Sequence, residues 1–405
     1  MYSHLVLCAA LVLATFSCAS SGAGAVPTDP ALAPAALLAG RGPSPQSPDS
    51  LFEPLLRDFM ERQAIGAAAL AIMKDGRVVY ELTMGWKDKE RTIPLPGNVM
   101  MRIASLTKPI TAAAIRKLAA DRQLGLDDRV FDVTGDGTGL LRIQPFPVLG
   151  DPRIAEITVG HLLRHRGGWD RDSVGDFALQ HEIRIAEALS VPSPPGPLNT
   201  MRYVLGRRLQ FDPGSRKAYS NIGYLVLGLV IEEVSGQDYM TYVHENILAP
   251  LGVPAGDVIQ GRTFRGDRDP REPWYDPAGL LSPNAFDPSG PRVPVSDGGW
   301  DHESTLSFAG LVASPRAILR FLAEYEASGD DLGTRRQGRE GAGWWRYHTG
   351  RLDGVEAVAF QRGNGVSFVV LLNRAIYDDS SYSHQIGIMI DLILRSREIR
   401  WPTGS

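Results

Sequence analysis

The chain has 405 residues, of which 43% are hydrophobic and 22% charged, and a formal net charge of −4. That length and apolar content can bury a large core, in one large or two interleaved domains. The slight acidic excess leaves no basic surface for nucleic acid or an anionic membrane, so neither is expected as a main partner.

Residues 5–16, "LVLCAALVLATF", form an apolar run of secretory length that is too short to span a bilayer. Residues 1–25 therefore read as a signal peptide, although residues 1–4 carry His4 and no lysine or arginine. Two exits are open. "AGA" at residues 23–25 offers ordinary cleavage, whereas "TFSC" at residues 15–18 resembles a lipoprotein signal that would place a lipid on Cys18 and give the chain its one membrane contact. Either exit implies export, to the periplasm or the medium. Both cysteines, Cys8 and Cys18, fall in this leader, so the mature protein has no disulfide, thiol nucleophile or cysteine metal site. Residues 26–50 are rich in proline, alanine and serine and read as a flexible tether to a folded domain over about 51–400.

From Ala67 the pattern gives two apolar strands joined at Asp75-Gly76, a dipeptide suited to a tight hairpin. "RIASLTKPIT" at residues 102–111 follows. Proline is tolerated in the first turn of a helix, so Pro109 sets a helix start near Ser105, with Gly125 expected to end it. Residues i and i+3 are neighbours on such a helix, which stands Lys108 beside Ser105 at an end where backbone N–H groups point outward. Helical spacing recurs at residues 157–165, 177–190 and 221–236, while 192–202 and 262–300 read as loops bordering a groove. Ser314 and Pro315 mark the cap and first position of a further helix. Three stretches of strand-formers then lead to a closing amphipathic helix. The order strands, helices, strands, helix implies a sheet built from both chain ends, about 51–110 and 300–400, with a mostly helical region at about 111–299 inserted between them.

Two more stretches bear on Ser105. "FDPGSRKAYSNIGY" sets Tyr219, Ser220 and Asn221 just before a long helix, and "WWRYHTGRLDG" sets His348, Thr349 and Gly350 late in a strand. Serine-x-x-lysine, a polar triplet and a [K/H]TG strand, in that order, are the signature of penicillin-recognising serine hydrolases. On these motifs, and on "DGRVVY", "ITVGHLLRHRGG" and "GLVASPRAILRFLA", residues 52–395 resemble the β-lactamase-related serine hydrolase family, in its branch similar to class C β-lactamases, D-alanyl-D-alanine carboxypeptidases and esterases. The resemblance implies an α/β fold with an antiparallel sheet flanked by helices. It implies Ser105 as nucleophile, Lys108 as its base and Tyr219 as partner in the proton relay. Asn221 would bind the acyl amide or carbonyl side of the substrate. His348, Thr349 and Gly350 would line the site, and the backbone N–H groups of Ser105 and Arg351 would form the oxyanion hole.

The chemistry asks for these types. A serine hydroxyl is a poor nucleophile without an adjacent base, and a lysine serves only if its pKa falls from about 10.4 towards neutrality. Burial and the positive end of a helix act in that direction. An imidazole with an unperturbed pKa near 6.5 would hold a substrate carboxylate less firmly than lysine, and in a pH-dependent way. Short esters are thus expected to fare better than β-lactams or D-Ala-terminated peptides, unless Arg346 or Arg351 supplies the missing charge. The other reading is a catalytically silent module that captures cell-wall fragments or β-lactams on the same fold. A monomer without cofactor or metal is expected. His161 and His165 lack the glutamate of a zinc-protease pattern, and residues 132–139 lack the distal glutamate of a calcium loop. Trp344, Trp345 and Tyr347 are expected to alternate between core and groove.

Overall fold

The computed structural model describes residues 45–179, 181–275, 279–328, 332–334, 345–374 and 382–402. The leader, Cys18, most of the tether and Trp344 lie outside the described residues. The first described helix, α1 (Pro48–Arg62), begins inside the expected tether: Ser47 caps it by accepting the Ser50 N–H at 3.3 Å, and Pro48 fills a first-turn position where its missing N–H costs nothing. The bridge between Gln46 and Ile399 ties this end of the domain to the other.

The strands β1 (Ala67–Lys74) and β2 (Arg77–Gly85) form the expected hairpin, with positive φ at Asp75 (49°) and Gly76 (78°) as the tightest turns require. After the short β3 (Met101–Arg102) comes α2 (Thr107–Ala120), entered through a 3-10 turn at Ala104–Leu106. This helix ends before Gly125, because the chain turns left-handed at Arg122 (φ 59°). Five helices follow: α3 (Val159–Leu163), α4 (Arg171–Val174), α5 (Glu182–Leu189), α6 (Gly196–Leu205) and α7 (Asn221–Ser235). The expected loop at 192–202 is thus mostly helix, since "GPLNTMRYVL" buries Met201, Tyr203, Val204 and Leu205. Then come α8 (Tyr239–Val243), β4 (Val258–Gln260), β5 (Leu281–Ser282), β6 (Val293–Pro294) and β7 (Leu311–Ala313). The helix α9 (Pro315–Glu324) carries the expected Ser314 cap, whose Oγ accepts the Ala317 N–H at 3.2 Å. Three strands, β8 (Trp345–Leu352), β9 (Val355–Arg362) and β10 (Val366–Leu372), and the helix α10 (Tyr382–Ser396) complete the chain.

Both chain ends meet in one five-stranded antiparallel sheet of order β2-β1-β10-β9-β8. Alternate residues face opposite sides of a strand, so each strand feeds two cores. Ala68, Leu70, Ile72, Phe360 and Phe368 pack under α1 and α10. Ala67, Ala69, Ala71, Ala359 and Val369 pack on the other face, against a core shared with α2, α7 and α9. The alanines of β1 allow that close approach of helix to sheet. A second sheet, β3-β7-β4, takes only β4 from the inserted region, and β5 pairs with β6 within it, so that region also carries strands. β8 is an edge strand, and α2 begins beside it. Among the described residues no helix is long and apolar enough to cross a membrane.

Candidate active site

Ser105 sits where β3 gives way to α2. Ala104, immediately before it, adopts φ 46°, a left-handed conformation that non-glycine residues take up only at a cost of order 1–3 kcal/mol. The kink turns the chain from strand to helix within one residue. Ala104 packs on the edge strand at Gly350, where a Cβ would stand 2.4 Å from the Ile103 carbonyl oxygen and 3.1 Å from the Ser105 nitrogen. Only a residue without a side chain lets β8 lie this close. That explains the glycine of the HTG stretch by packing rather than by chemistry.

Two side chains converge on Ser105 Oγ. Lys108 donates from Nζ at 3.0 Å and Tyr219 donates from its hydroxyl at 2.8 Å. The Lys108 ammonium end is also held by the Phe308 carbonyl oxygen at 2.8 Å, and it lies 4.9 Å from the Tyr219 ring centroid and 5.5 Å from that of Phe308. Its side chain is fully buried, the condition on which its use as a base depends. Residues 105, 108 and 219, 114 positions apart at the extremes, therefore meet as the motifs anticipated.

Tyr219 is held from below by a residue whose role the sequence did not disclose. His165 stacks on the Tyr219 ring with centroids 4.6 Å apart. Its carbonyl accepts the Ala218 N–H at 2.9 Å and its Nδ1 accepts the Ser220 N–H at 3.2 Å, which pins the loop on both sides of Tyr219. Burial, and then the nearby charge of Lys108, hold His165 well below the usual histidine range, so it stays a neutral acceptor. Ser220 in turn caps α7, taking the Gly223 N–H at 3.1 Å. The Arg171 guanidinium also lies over the Tyr219 ring, 4.5 Å from its centroid.

Asn221 opens α7. It is 3% exposed, and its Nδ2 donates to Asp176 Oδ2 at 2.6 Å. Asp176 Oδ2 also lies 3.5 Å from Arg171 Nη1. Neither Asp176 nor Arg171 was anticipated: both sit in the connection around α4, where no motif marks them.

The β8 wall differs from expectation. His348 pairs with Ala359 and Gly350 with Ala357, so both share the face that looks towards α2. Thr349 pairs with Val358 and Arg351 with Glu356, on the α10 face. The Arg351 side chain accordingly lies 3.5 Å from buried Glu356, which also accepts the Ser383 N–H at the start of α10. Arg346 is spent on Glu326 at 3.1 Å and the Ser328 carbonyl at 2.9 Å. Trp345 and Tyr347 stack on one another at 5.4 Å and both face α10, not one the core and one the groove. Both arginine side chains are thus engaged with carboxylates away from Ser105.

His348 itself does not titrate near neutrality. Burial, and then the charge of Lys108, push its pKa down to about 3, against a contribution from the Ser105 backbone that favours the protonated ring. Its Nε2 is enclosed without a hydrogen-bond partner. Lys217, two residues before Tyr219, also helps hold both His348 and His165 neutral, and so lies near both.

Elsewhere, residues 132–137 form a turn in which Asp132 accepts the Gly135 N–H at 2.7 Å and the Asp136 N–H at 3.1 Å. His161 belongs to the cap of α3, its Nδ1 accepting the Thr158 N–H at 3.3 Å. Among the described residues no cluster of His, Cys, Asp and Glu is arranged to hold a metal ion.

The match to known proteins agrees with this architecture. A family model described as Beta-lactamase covers residues 52–385. The chain belongs to that family. Esterase EstB of Burkholderia gladioli is 30% identical over 210 residues, which make up 51% of this chain and 49% of that one. Protein flp of Staphylococcus aureus (strain MW2) is 27% identical over 197 residues, 49% of this chain and 36% of that protein. The chain thus aligns with half or less of these curated relatives' length. Among solved structures, D-amino acid amidase from Ochrobactrum anthropi SV3 superposes with TM-score 0.61 at 21% identity, covering 86% of this chain and 97% of the amidase. The octameric penicillin-binding protein homologue from Pyrococcus abyssi gives 0.58 at 22%, covering 85% and 76%. At such identities the likeness is one of fold.

Proposed function

We propose that the protein is an acyl-transfer hydrolase that works through a covalent intermediate on Ser105. One observation carries the reading: Lys108 Nζ and Tyr219 O–H converge on Ser105 Oγ at 3.0 and 2.8 Å. Such distances are those of proton transfer. In the first step the Ser105 oxygen attacks the substrate carbonyl while its proton passes to the Lys108–Tyr219 pair; the same proton then goes to the leaving group. The carbonyl oxygen is received by the Ser105 and Arg351 N–H groups, a role for the Arg351 main chain and not for its side chain. Water, activated through Tyr219, releases the acid. A silent binding module would have no use for so converged a base pair, and no observation favours it over the enzyme.

The β8 wall supports a neutral substrate. His348 is held neutral by burial and by the charge of Lys108, so the strand offers a substrate carboxylate no imidazolium. Short esters or amides are therefore the substrates of this site, and cephalosporins poor ones. A relative that bears the name esterase is consistent with this. The chain acts as a monomer without cofactor and reaches the periplasm or medium through its leader, with Cys18 as the lipid site if the second exit is used. The test of substrate class is the ratio of kcat/KM for a neutral 4-nitrophenyl ester to that for a carboxylate-bearing one, between pH 5.5 and 8.5. A ratio above 1 and flat with pH is expected, because His348 stays neutral throughout; a carboxylate preference that rises towards pH 5.5 would contradict it.

A further inference from the structure

The chain reaches Ser105 through a strained residue that is pinned on both sides. Ala104 holds φ 46° between β3 and α2, and a conformation of that cost persists only where its surroundings impose it. On the α2 side Lys108 Nζ is taken by the Phe308 carbonyl at 2.8 Å, and Thr107 Oγ1 accepts the Leu311 N–H at 3.4 Å. On the β3 side the Ile103 N–H goes to the Leu311 carbonyl at 3.0 Å, and the residue before it, Arg102, is fully buried. Arg102 reaches from β3 into the 262–300 segment. Its Nη2 donates to the Arg262 carbonyl at 2.8 Å and its Nη1 to the Ser296 carbonyl at 3.2 Å, while the guanidinium carbon lies 4.6 Å from the Tyr275 ring centroid and 5.5 Å from that of Trp300. Tyr275 returns the contact: its hydroxyl accepts the Arg102 backbone N–H at 2.8 Å and donates to buried Glu272 at 2.7 Å. Arg268 takes the same Ser296 carbonyl at 2.6 Å and pairs with Asp297 at 3.2 Å. Burial, and then the charge of Arg268, push Arg102 down to about 10, which still leaves it charged at neutral pH. A charge so buried cannot release these carbonyls and rings without being stranded.

We propose that Arg102 is a positioning residue for the nucleophile: by clipping residues 262–275 and 296–300 onto β3, it holds the left-handed kink at Ala104 that aims Ser105 Oγ at its base pair. This deepens the hydrolase reading and rests on it. Arg102 touches neither the substrate nor Ser105 Oγ; it acts through the backbone, three residues upstream. The 262–300 segment, read from its composition as a loop bordering the groove, thereby also fixes the strand that delivers the serine.

The test asks whether relieving the kink repairs the loss of the clip. With 4-nitrophenyl acetate as substrate, Arg102→Met should lower kcat about tenfold, because an alanine no longer restrained leaves the left-handed region with a gain of that order. Glycine takes that conformation without steric cost, so Ala104→Gly added to Arg102→Met should raise kcat about fivefold, a larger gain than the same change gives beside Arg102. A merely structural role for Arg102 would lower melting temperature and turnover together with no such rescue. Wild-type kcat in Arg102→Met, or equal effects of Ala104→Gly in the two backgrounds, overturn the proposal while the hydrolase stands. If Arg102→Met does not fold, Tyr275→Phe decides. It keeps the ring but drops the hydroxyl that takes the Arg102 N–H, and kcat should fall about threefold with the same rescue by Ala104→Gly; absence of either effect overturns the proposal. No ester hydrolysis by folded wild-type protein overturns the hydrolase reading and this inference with it.

Discussion

The two walls of the site are built on different terms. On the α2 side Ser105, Lys108 and Tyr219 are bound to one another, and Tyr219 is braced by His165 beneath and Arg171 above. On the β8 side His348 is held neutral and the arginine side chains of the strand are engaged elsewhere. The first wall is complete before a substrate arrives. The second offers the substrate no fixed charge from these side chains. Bond-making machinery is preorganised and recognition is left open, so substitutions on the α2 wall should lower kcat for every substrate, and those on β8 should change which substrate is preferred.

The largest effect that tests this division is Tyr219→Phe. It keeps the ring and its stacking on His165 but removes the hydroxyl, and kcat should fall about 10²–10⁴-fold for neutral and carboxylate-bearing esters alike, the usual worth of a positioned proton-transfer group. A loss confined to one substrate would place Tyr219 on the recognition side instead. Next, Gly350→Ala brings a methyl against the Ile103 carbonyl, and the strand or the Ser105 kink has to move. Overpacking of this kind costs about 1–3 kcal/mol. A lower melting temperature together with lost activity is expected; unchanged values of both would show that β8 does not abut the nucleophile.

The pH dependence of stability is a smaller effect. His348 has a folded pKa near 3, below its unfolded value of about 6.5. The unfolded chain therefore binds the extra proton, so the contribution of His348 to stability is complete above about pH 6.5 and declines as pH falls towards 3. His165 shifts in the same direction. Urea midpoints from pH 7.5 to 5 should drop less steeply in His348→Gln than in wild type, and parallel curves would show that the imidazole is not buried neutral. Smallest of all is Arg351→Met. Its side chain lies on the α10 face, so the ratio of carboxylate-bearing to neutral ester should stay within about twofold of wild type, whereas a large fall would put the guanidinium in the groove.

How far the sequence could be read follows from the kind of interaction involved. The hairpin at Asp75-Gly76, the start of α2, the Ser314 cap and the meeting of the two chain ends in one sheet rest on local signals, and these were legible. So was the convergence of Ser105, Lys108 and Tyr219, because three motifs in order constrain it jointly. What failed depended on contacts distant in sequence. The helix α6 hides behind a proline-rich start, and α1 begins within a stretch whose composition reads as tether. The pKa of His348 is set by burial beside Lys108, which spacing along the chain cannot reveal. The direction of the Arg351 side chain was left open, although alternation along β8 puts it opposite His348 and could have been counted once the strand was fixed. Asp176, joined to Asn221 across 45 residues, carries no local signature at all.

The central claim is that Ser105 is acylated. The direct measurement is intact and peptide mass spectrometry of the protein quenched during turnover of a slow 4-nitrophenyl ester, alongside Ser105→Ala. The account expects one acyl group per chain on the peptide containing Ser105, no adduct in the alanine variant, and loss of nearly all turnover there. An acyl group on another residue, or turnover that survives Ser105→Ala, would contradict it.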